Sequence, residues 1–203
     1  MKRRHFLIAC AALSALPLLA KAQAIASLDQ IATYLNGLTL ADGEFTQHNA
    51  DGSRSIGTFM LQKPGKIRFE YSAPDRAVVV SDGTMVGIID PKAPEELQTY
   101  ELKRTPLSLL LRTDVDLNKK GFVRDLTGDS SETRLLLVDP TDPATGTMLL
   151  TFAHAPVFHL AKWTITDEGG SQTTVDVQSL TRGTRHPAVM FDIPWTRANF
   201  GKG

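Results

Sequence analysis

The residue types in this chain that could do chemistry are its histidines, a few spaced carboxylates and a single cysteine. His154 and His159 stand five apart in Ala153-His154-Ala155-Pro156-Val157-Phe158-His159. An extended chain puts them on opposite faces, and Pro156 breaks any simple register, so they read as strand-end histidines and not as metal ligands. His48 and His186 have no acidic or histidine partner at zinc-binding spacing. Asp139 and Asp142 offer oxygen ligands of the kind calcium takes, but Asp-Pro pairs read first as plain turns. There is no Gly-x-Ser-x-Gly elbow and no phosphate-cradling glycine loop. On these residues an enzyme is possible but unsupported, and no metal or cofactor is expected.

The first residues say where such a protein works. Lys2, Arg3, Arg4 and His5 precede an apolar run from Phe6 to Ala20, and two small-x-small frames follow, Ala20-Lys21-Ala22 and Ala22-Gln23-Ala24. That order is a secretory signal peptide over residues 1–24, and the run is short of the about 20 residues a membrane span needs. Arg3-Arg4-His5-Phe6-Leu7 resembles a twin-arginine signal, so the export route is either that or the general secretory one. Leu7-Ile8-Ala9-Cys10 resembles a lipobox, but few apolar residues precede Cys10, and it reads as part of the discarded leader.

The remainder, 25–203, is long enough for one well-buried domain. Losing Lys2, Arg3, Arg4 and Lys21 leaves 18 basic and 22 acidic residues, a formal charge of −4. Such a chain lacks the clustered basic footprint of a nucleic-acid binder. Without Cys10 it has no disulfide or thiolate site.

The elements follow from periodicity. Ser27 and Gln30 form a capping box, and Leu28, Ile31, Leu35 and Leu38 recur at helical spacing up to Gly37. Beyond it the pattern is period two. Asp51-Gly52, Asp82-Gly83 and Gly169-Gly170 mark hairpins, and Lys63-Pro64-Gly65-Lys66 reads as a type II turn. The intervening runs predict strands near 44–49, 54–62, 66–72, 76–81, 84–90, 97–103, 121–127, 132–138, 146–153, 157–167, 171–180 and 188–193. Thr105-Pro106 opens a short leucine-rich helix to Arg112, with Thr105 as N-cap.

Some strands alternate, with Ile67, Phe69 and Tyr71 opposing Lys66, Arg68 and Glu70, which predicts one wet face. Others are apolar on both sides: Ile56 and Met60 oppose Phe59 and Leu61, Met85 and Ile89 oppose Val86 and Ile88, and Leu135 to Val138 is apolar throughout. Such strands need cover on both faces. Either a two-layer sandwich or a curved sheet around an apolar pocket satisfies them, and periodicity does not separate the two.

Taken in order, several segments resemble the periplasmic outer-membrane lipoprotein carrier family, LolA. They are the amphipathic first helix, Phe45-Thr46-Gln47, Gly57-Thr58-Phe59, Lys63-Pro64-Gly65-Lys66-Ile67-Arg68-Phe69-Glu70-Tyr71, Pro74, Val79-Val80-Ser81-Asp82-Gly83 and Asp90-Pro91. Thr105-Pro106-Leu107 to Leu111 is similar to that family's lid helix, and Phe191-Asp192-Ile193-Pro194 to its final strand. The resemblance implies a mainly β fold with a few helices: an incomplete antiparallel β-barrel, or half-barrel, closed by a helical lid. It implies a chaperone, not an enzyme, that shields the acyl chains of lipoproteins and shuttles them from an inner-membrane lipoprotein-releasing transporter to an outer-membrane acceptor, as a periplasmic monomer.

Phe45, Phe59, Leu61, Ile67, Phe69, Tyr71 and Trp163, with Leu107 and Leu110 of the lid, are then the candidate lipid-binding wall. A basic residue, Lys63 or Arg68, is the candidate lid tether. The sequence departs from the family where Gly87, Ile88 and Ile89 replace a common aromatic, and where lysine stands at position 63 instead of arginine. The alternative function is a lipid-sensing interaction module of envelope signalling on the same half-barrel. The leader generates the first prediction: envelope-localised protein, weighed intact, corresponds to cleavage after Ala22 or Ala24. A species that retains Cys10 with added acyl mass would refute it.

Overall fold

The computed structural model describes residues 25–93 and 96–201. The expected leader, Cys10 included, lies outside the described residues. Helix α1 (Leu28–Gly37) begins as its sequence dictates, with the Ser27 hydroxyl accepting from the Gln30 amide, and it buries Ile31 and Leu35. Eleven strands follow: β1 (Leu40–His48), β2 (Arg54–Gln62), β3 (Lys66–Tyr71), β4 (Val78–Asp82), β5 (Met85–Ile89), β6 (Leu97–Glu101), β7 (Val123–Gly128), β8 (Glu132–Val138), β9 (Thr147–Ala153), β10 (His159–Thr166) and β11 (Gln172–Arg182).

They form a single antiparallel sheet in the order β6-β5-β4-β3-β2-β1-β11-β10-β9-β8-β7. The chain is therefore two meanders joined where β1 pairs with β11, from Ala41 opposite Arg182 to His48 opposite Thr174. The sheet is open, with β6 and β7 as its edges, and the sandwich alternative is overturned. The chain crosses from one edge to the other through helix α2 (Leu107–Leu110) and the turns up to Phe122.

The sheet is curled. Phe59 on β2 and Trp163 on β10 are three strand spacings apart, about 14 Å in a flat sheet, yet their ring centroids lie 6.3 Å apart. The concave face is filled by α1 and the edge-to-edge crossing. Ile31, Leu35, Leu107, Leu109, Leu110, Leu111, Val115 and Leu117 join the inward side chains of the strands in one buried cluster.

The convex face differs from the expectation in an instructive way. Residues 188–193 are not a strand. A 3₁₀ turn (Ala188–Phe191) leads into helix α3 (Ile193–Asn199). Asp192 caps that helix by accepting from the Trp195 amide at 2.6 Å, and Pro194 sits in its first turn, where its missing N–H costs nothing. The segment is a strap across the outside of the sheet. It carries Phe191 and Ile193 onto Val78, Val80 and Ile89, with Met60 and Met85 alongside. The doubly apolar strands thus have their second cover.

The strap also corrects the reading of Arg68 as a residue on a wet face. Arg68 is 6% exposed, and its guanidinium donates to the Met190 carbonyl at 3.1 Å, the Thr196 hydroxyl at 2.8 Å and Glu70 at 2.7 Å. At the near end of α2, Thr105 is not the cap. Its hydroxyl donates back to the Leu102 carbonyl at 2.8 Å, and Pro106 takes the cap position.

Gly87 is where the strap approaches the sheet most tightly. A Cβ there would meet Ile193 Cγ2 at 2.8 Å. Gly87→Ala is expected to destabilise the fold by about 1–3 kcal/mol through overpacking, and by much less in an Ile193→Ala background. Urea midpoints of the four proteins of this double-mutant cycle check it.

Candidate functional site

Cross-strand registry assembles the inner wall. Gly43 faces Phe59 and Phe45 faces Gly57 across the β1–β2 ladder. A Cβ at Gly43 would lie 2.6 Å from the Phe59 ring, and one at Gly57 2.9 Å from the Phe45 ring, so each aromatic lies over a bare backbone. Phe45 meets Phe69 edge-on at 5.3 Å and Tyr71 at 5.2 Å, and Phe69 reaches Trp163 at 6.3 Å. Phe45, Phe59, Leu61, Ile67, Phe69, Trp163, Leu107 and Leu110 are all buried in one cluster, with Tyr71 packed at its edge. The Tyr71 hydroxyl donates to Gln47 at 2.7 Å, and burial pushes its pKa up to about 12.

This interior is packed, not hollow. All four leucines from Leu107 to Leu111 are buried within it, so the short helix fills the concave face that it covers. Clefts open at both ends of α2. A cleft of about 580 Å³ runs from Leu111 to Pro64, Gly65 and Met85. A second, of about 500 Å³, runs from Leu107 and Pro106 to Val86, Ile88 and Ile165.

Two of the polar ties that hold the cover come from the β2–β3 turn. Gly65, at φ +72° as a type II turn requires of its third residue, donates its amide to the Leu111 carbonyl at 2.9 Å. Lys63 Nζ donates to the Leu35 carbonyl at 2.9 Å. Lys63 therefore grips the last turn of α1, not the leucine-rich helix. That carbonyl carries the negative end of the helix dipole, and α1 has no basic residue of its own in its last turn. Asn36 then links α1 to the far side of the cover, donating to the Val115 carbonyl at 3.3 Å and accepting from the Val115 amide at 2.8 Å. Arg68, the other candidate tether, lies on the convex face and binds the strap.

The Asn36–Val115 pair and the Gly65–Leu111 bond join residues distant in sequence and leave no signature in composition or periodicity. The strap did leave one, Asp192 as N-cap before Pro194. His154 is a structural residue: its Nε2 lies 2.9 Å from the Thr133 hydroxyl, which accepts from the Ala26 amide, and its Nδ1 lies 3.1 Å from the Ser130 carbonyl. Asp139, weighed above as a cation ligand, pairs with Arg112. Among the described residues no helix is long and apolar enough to cross a membrane.

A family profile described as "Outer membrane lipoprotein carrier protein LolA" matches residues 36–194. An outer-membrane lipoprotein carrier protein of Chromohalobacter salexigens is 32% identical over 161 residues, covering 75% of this chain and 76% of that protein. One from Cupriavidus taiwanensis is 32% identical over 136 residues; the match covers 62% of this chain and spans 64% of the relative's length. One from Xanthomonas oryzae pv. oryzae is 27% identical over 175 residues and 82% of each chain. Among solved structures, a LolA superfamily protein from Nitrosomonas europaea superposes with a TM-score of 0.45 at 10% identity, covering 82% of this chain and 98% of that one. The Pseudomonas aeruginosa MucA/MucB complex gives 0.42 at 14% identity, covering 77% and 56%.

Burial lowers the Lys63 ammonium from 10.5 to about 8. Between those values the unfolded chain holds a proton that the folded chain has released, so stability rises with pH. The charged amine therefore burdens the fold below about pH 8, and the burden lifts toward pH 10.5. Relative to Lys63→Met, the native protein is expected to gain about 2 kcal/mol between roughly pH 7.5 and 9.5. Paired denaturant titrations measure the difference, and a gap that does not change with pH would refute it.

Proposed function

The chain belongs to the LolA family of outer membrane lipoprotein carriers, and on that premise we propose that it is a periplasmic, monomeric, non-enzymatic carrier that shields the acyl chains of lipoproteins between an inner-membrane releasing transporter and an outer-membrane acceptor. The observation that carries this reading is the burial of Leu107, Leu109, Leu110 and Leu111 against an aromatic wall that the rest of the fold holds in place.

Magnitudes favour exchange of one apolar filling for another. Burying a leucine is worth about 1.5–3 kcal/mol, so exposing the four to water costs roughly 6–12 kcal/mol. A sixteen-carbon acyl chain gains about 0.8 kcal/mol per CH₂, or roughly 12 kcal/mol in full. The cover stays shut in water and yields to an acyl chain at nearly balanced cost. A shuttle that must release what it carries needs that balance. Phe45, Phe59, Leu61, Ile67, Phe69, Tyr71 and Trp163 would line the space that α2 vacates, and Lys63 would restrain the opening through α1.

Delipidated protein should bind an environment-sensitive fluorescent fatty acid saturably and release it to a tripalmitoyl lipopeptide. Lys63→Leu, with the restraint gone, should hold lipopeptide more tightly and pass it to acceptor membranes more slowly. Folded protein without saturable binding would overturn the carrier reading. Binding without any transfer would favour the lipid-sensing alternative.

A further inference from the structure

The cleft of about 500 Å³ at the Leu107 end of α2 has an apolar floor, where Ile88 and Leu107 face Ile165. Its charged lining residues are Asp142, from the β8–β9 connection, Asp167 and Glu168, from the β10–β11 turn, and Arg104, from the segment before α2; together they form what is called its rim below. Among the described residues the carboxylates of Asp142 and Glu168 have no hydrogen bond or ion pair, and neither has the Arg104 guanidinium. The Asp167 carboxylate, among the described residues, accepts only from the Ser171 amide of its own turn, at 2.9 Å. These four residues sum to a net charge of about −2 in a cleft that Ile88, Leu107 and Ile165 also line, on a chain expected to be acidic once its leader is removed, so the local and overall fields have the same sign.

An acylated peptide entering here has its hydrocarbon on the floor and its first residues at the rim. Resting on the carrier reading, we propose that this rim selects cargo by charge: it favours lipopeptides whose residues next to the acylated end are basic, and disfavours those in which they are acidic. Exposed charges give modest discrimination that salt screens. The apolar floor supplies affinity whatever the peptide, and the rim ranks one peptide against another.

The test uses the mature protein, the fluorescent fatty acid, and synthetic tripalmitoyl-cysteinyl peptides kept below their aggregation concentrations. The peptides differ only in carrying lysines, serines or glutamates after the cysteine. At low salt the lysine peptide should displace the probe at roughly one tenth of the concentration that the glutamate peptide needs, with the serine peptide between, and the gap should close near 0.5 M salt. In a D142N/D167N/E168Q variant the gap should shrink to within about twofold, with the serine peptide unaffected. The amide that D167N introduces keeps an oxygen to accept from Ser171, so the turn retains its bond. Equal displacement by the lysine and glutamate peptides, or a gap that survives in the variant, would overturn the proposal. Failure of the serine peptide to displace the probe would instead count against the carrier reading itself.

Discussion

A single curled sheet with apolar side chains on both faces has to be covered twice, and this chain has very little helix with which to do it. Every other feature of the fold answers that constraint. The β1–β11 pairing joins two meanders into one sheet that can curl. The concave side then takes α1 and the edge-to-edge crossing, and the convex side takes the C-terminal strap. The strands that look surplus by pattern, with Met60, Met85 and Ile89 opposing Phe59, Leu61 and Val86, are those sandwiched between the two covers.

The two covers are secured differently. The strap is fixed by Arg68, a buried cation whose bonds to Met190, Thr196 and Glu70 are all charge-assisted. Removing a partner from a buried charge costs about 3–5 kcal/mol, so the strap is built to stay. The inner cover is chiefly leucine against aromatic rings, and its polar ties are backbone and amide bonds, Lys63 and the half-buried Arg112–Asp139 pair. Dispersion and hydrophobic contact do not ask which hydrocarbon supplies the surface. On the carrier reading proposed above it is this cover that an acyl chain replaces, whereas the strap cannot be lifted without stranding the Arg68 charge.

Lys63 shows how one side chain serves both folding and restraint. Its ammonium meets the carbonyl end of α1, where the dipole favours a cation, but among the described residues no carboxylate pairs with it and burial weighs against its charge. The restraint is weak by construction, because a point charge on a flexible stem makes one bond to one carbonyl where a planar guanidinium could have made several.

The sequence by itself determined the elements whose signals are local. Ser27 begins the first helix, Asp-Gly and Pro-Gly pairs place the hairpins, and alternation assigns Ile67, Phe69, Trp163 and their neighbours to the inner face. Ordered segments also carried the family resemblance, and with it the half-barrel and its lid. What the tertiary structure decided were facts that join residues far apart in the chain. Arg68 reads as a solvated strand charge until the strap is laid over it. Residues 188–193 read as one more apolar strand, although Asp192 and Pro194 together are a helix start, because in isolation their apolar pattern weighed more than one cap. Lys63 reads from the sequence as a candidate lid tether, whereas the carbonyl 2.9 Å from it belongs to Leu35, because that contact depends on how α1 docks into the curl. Periodicity records which face a residue takes, and only the packed chain records what covers that face.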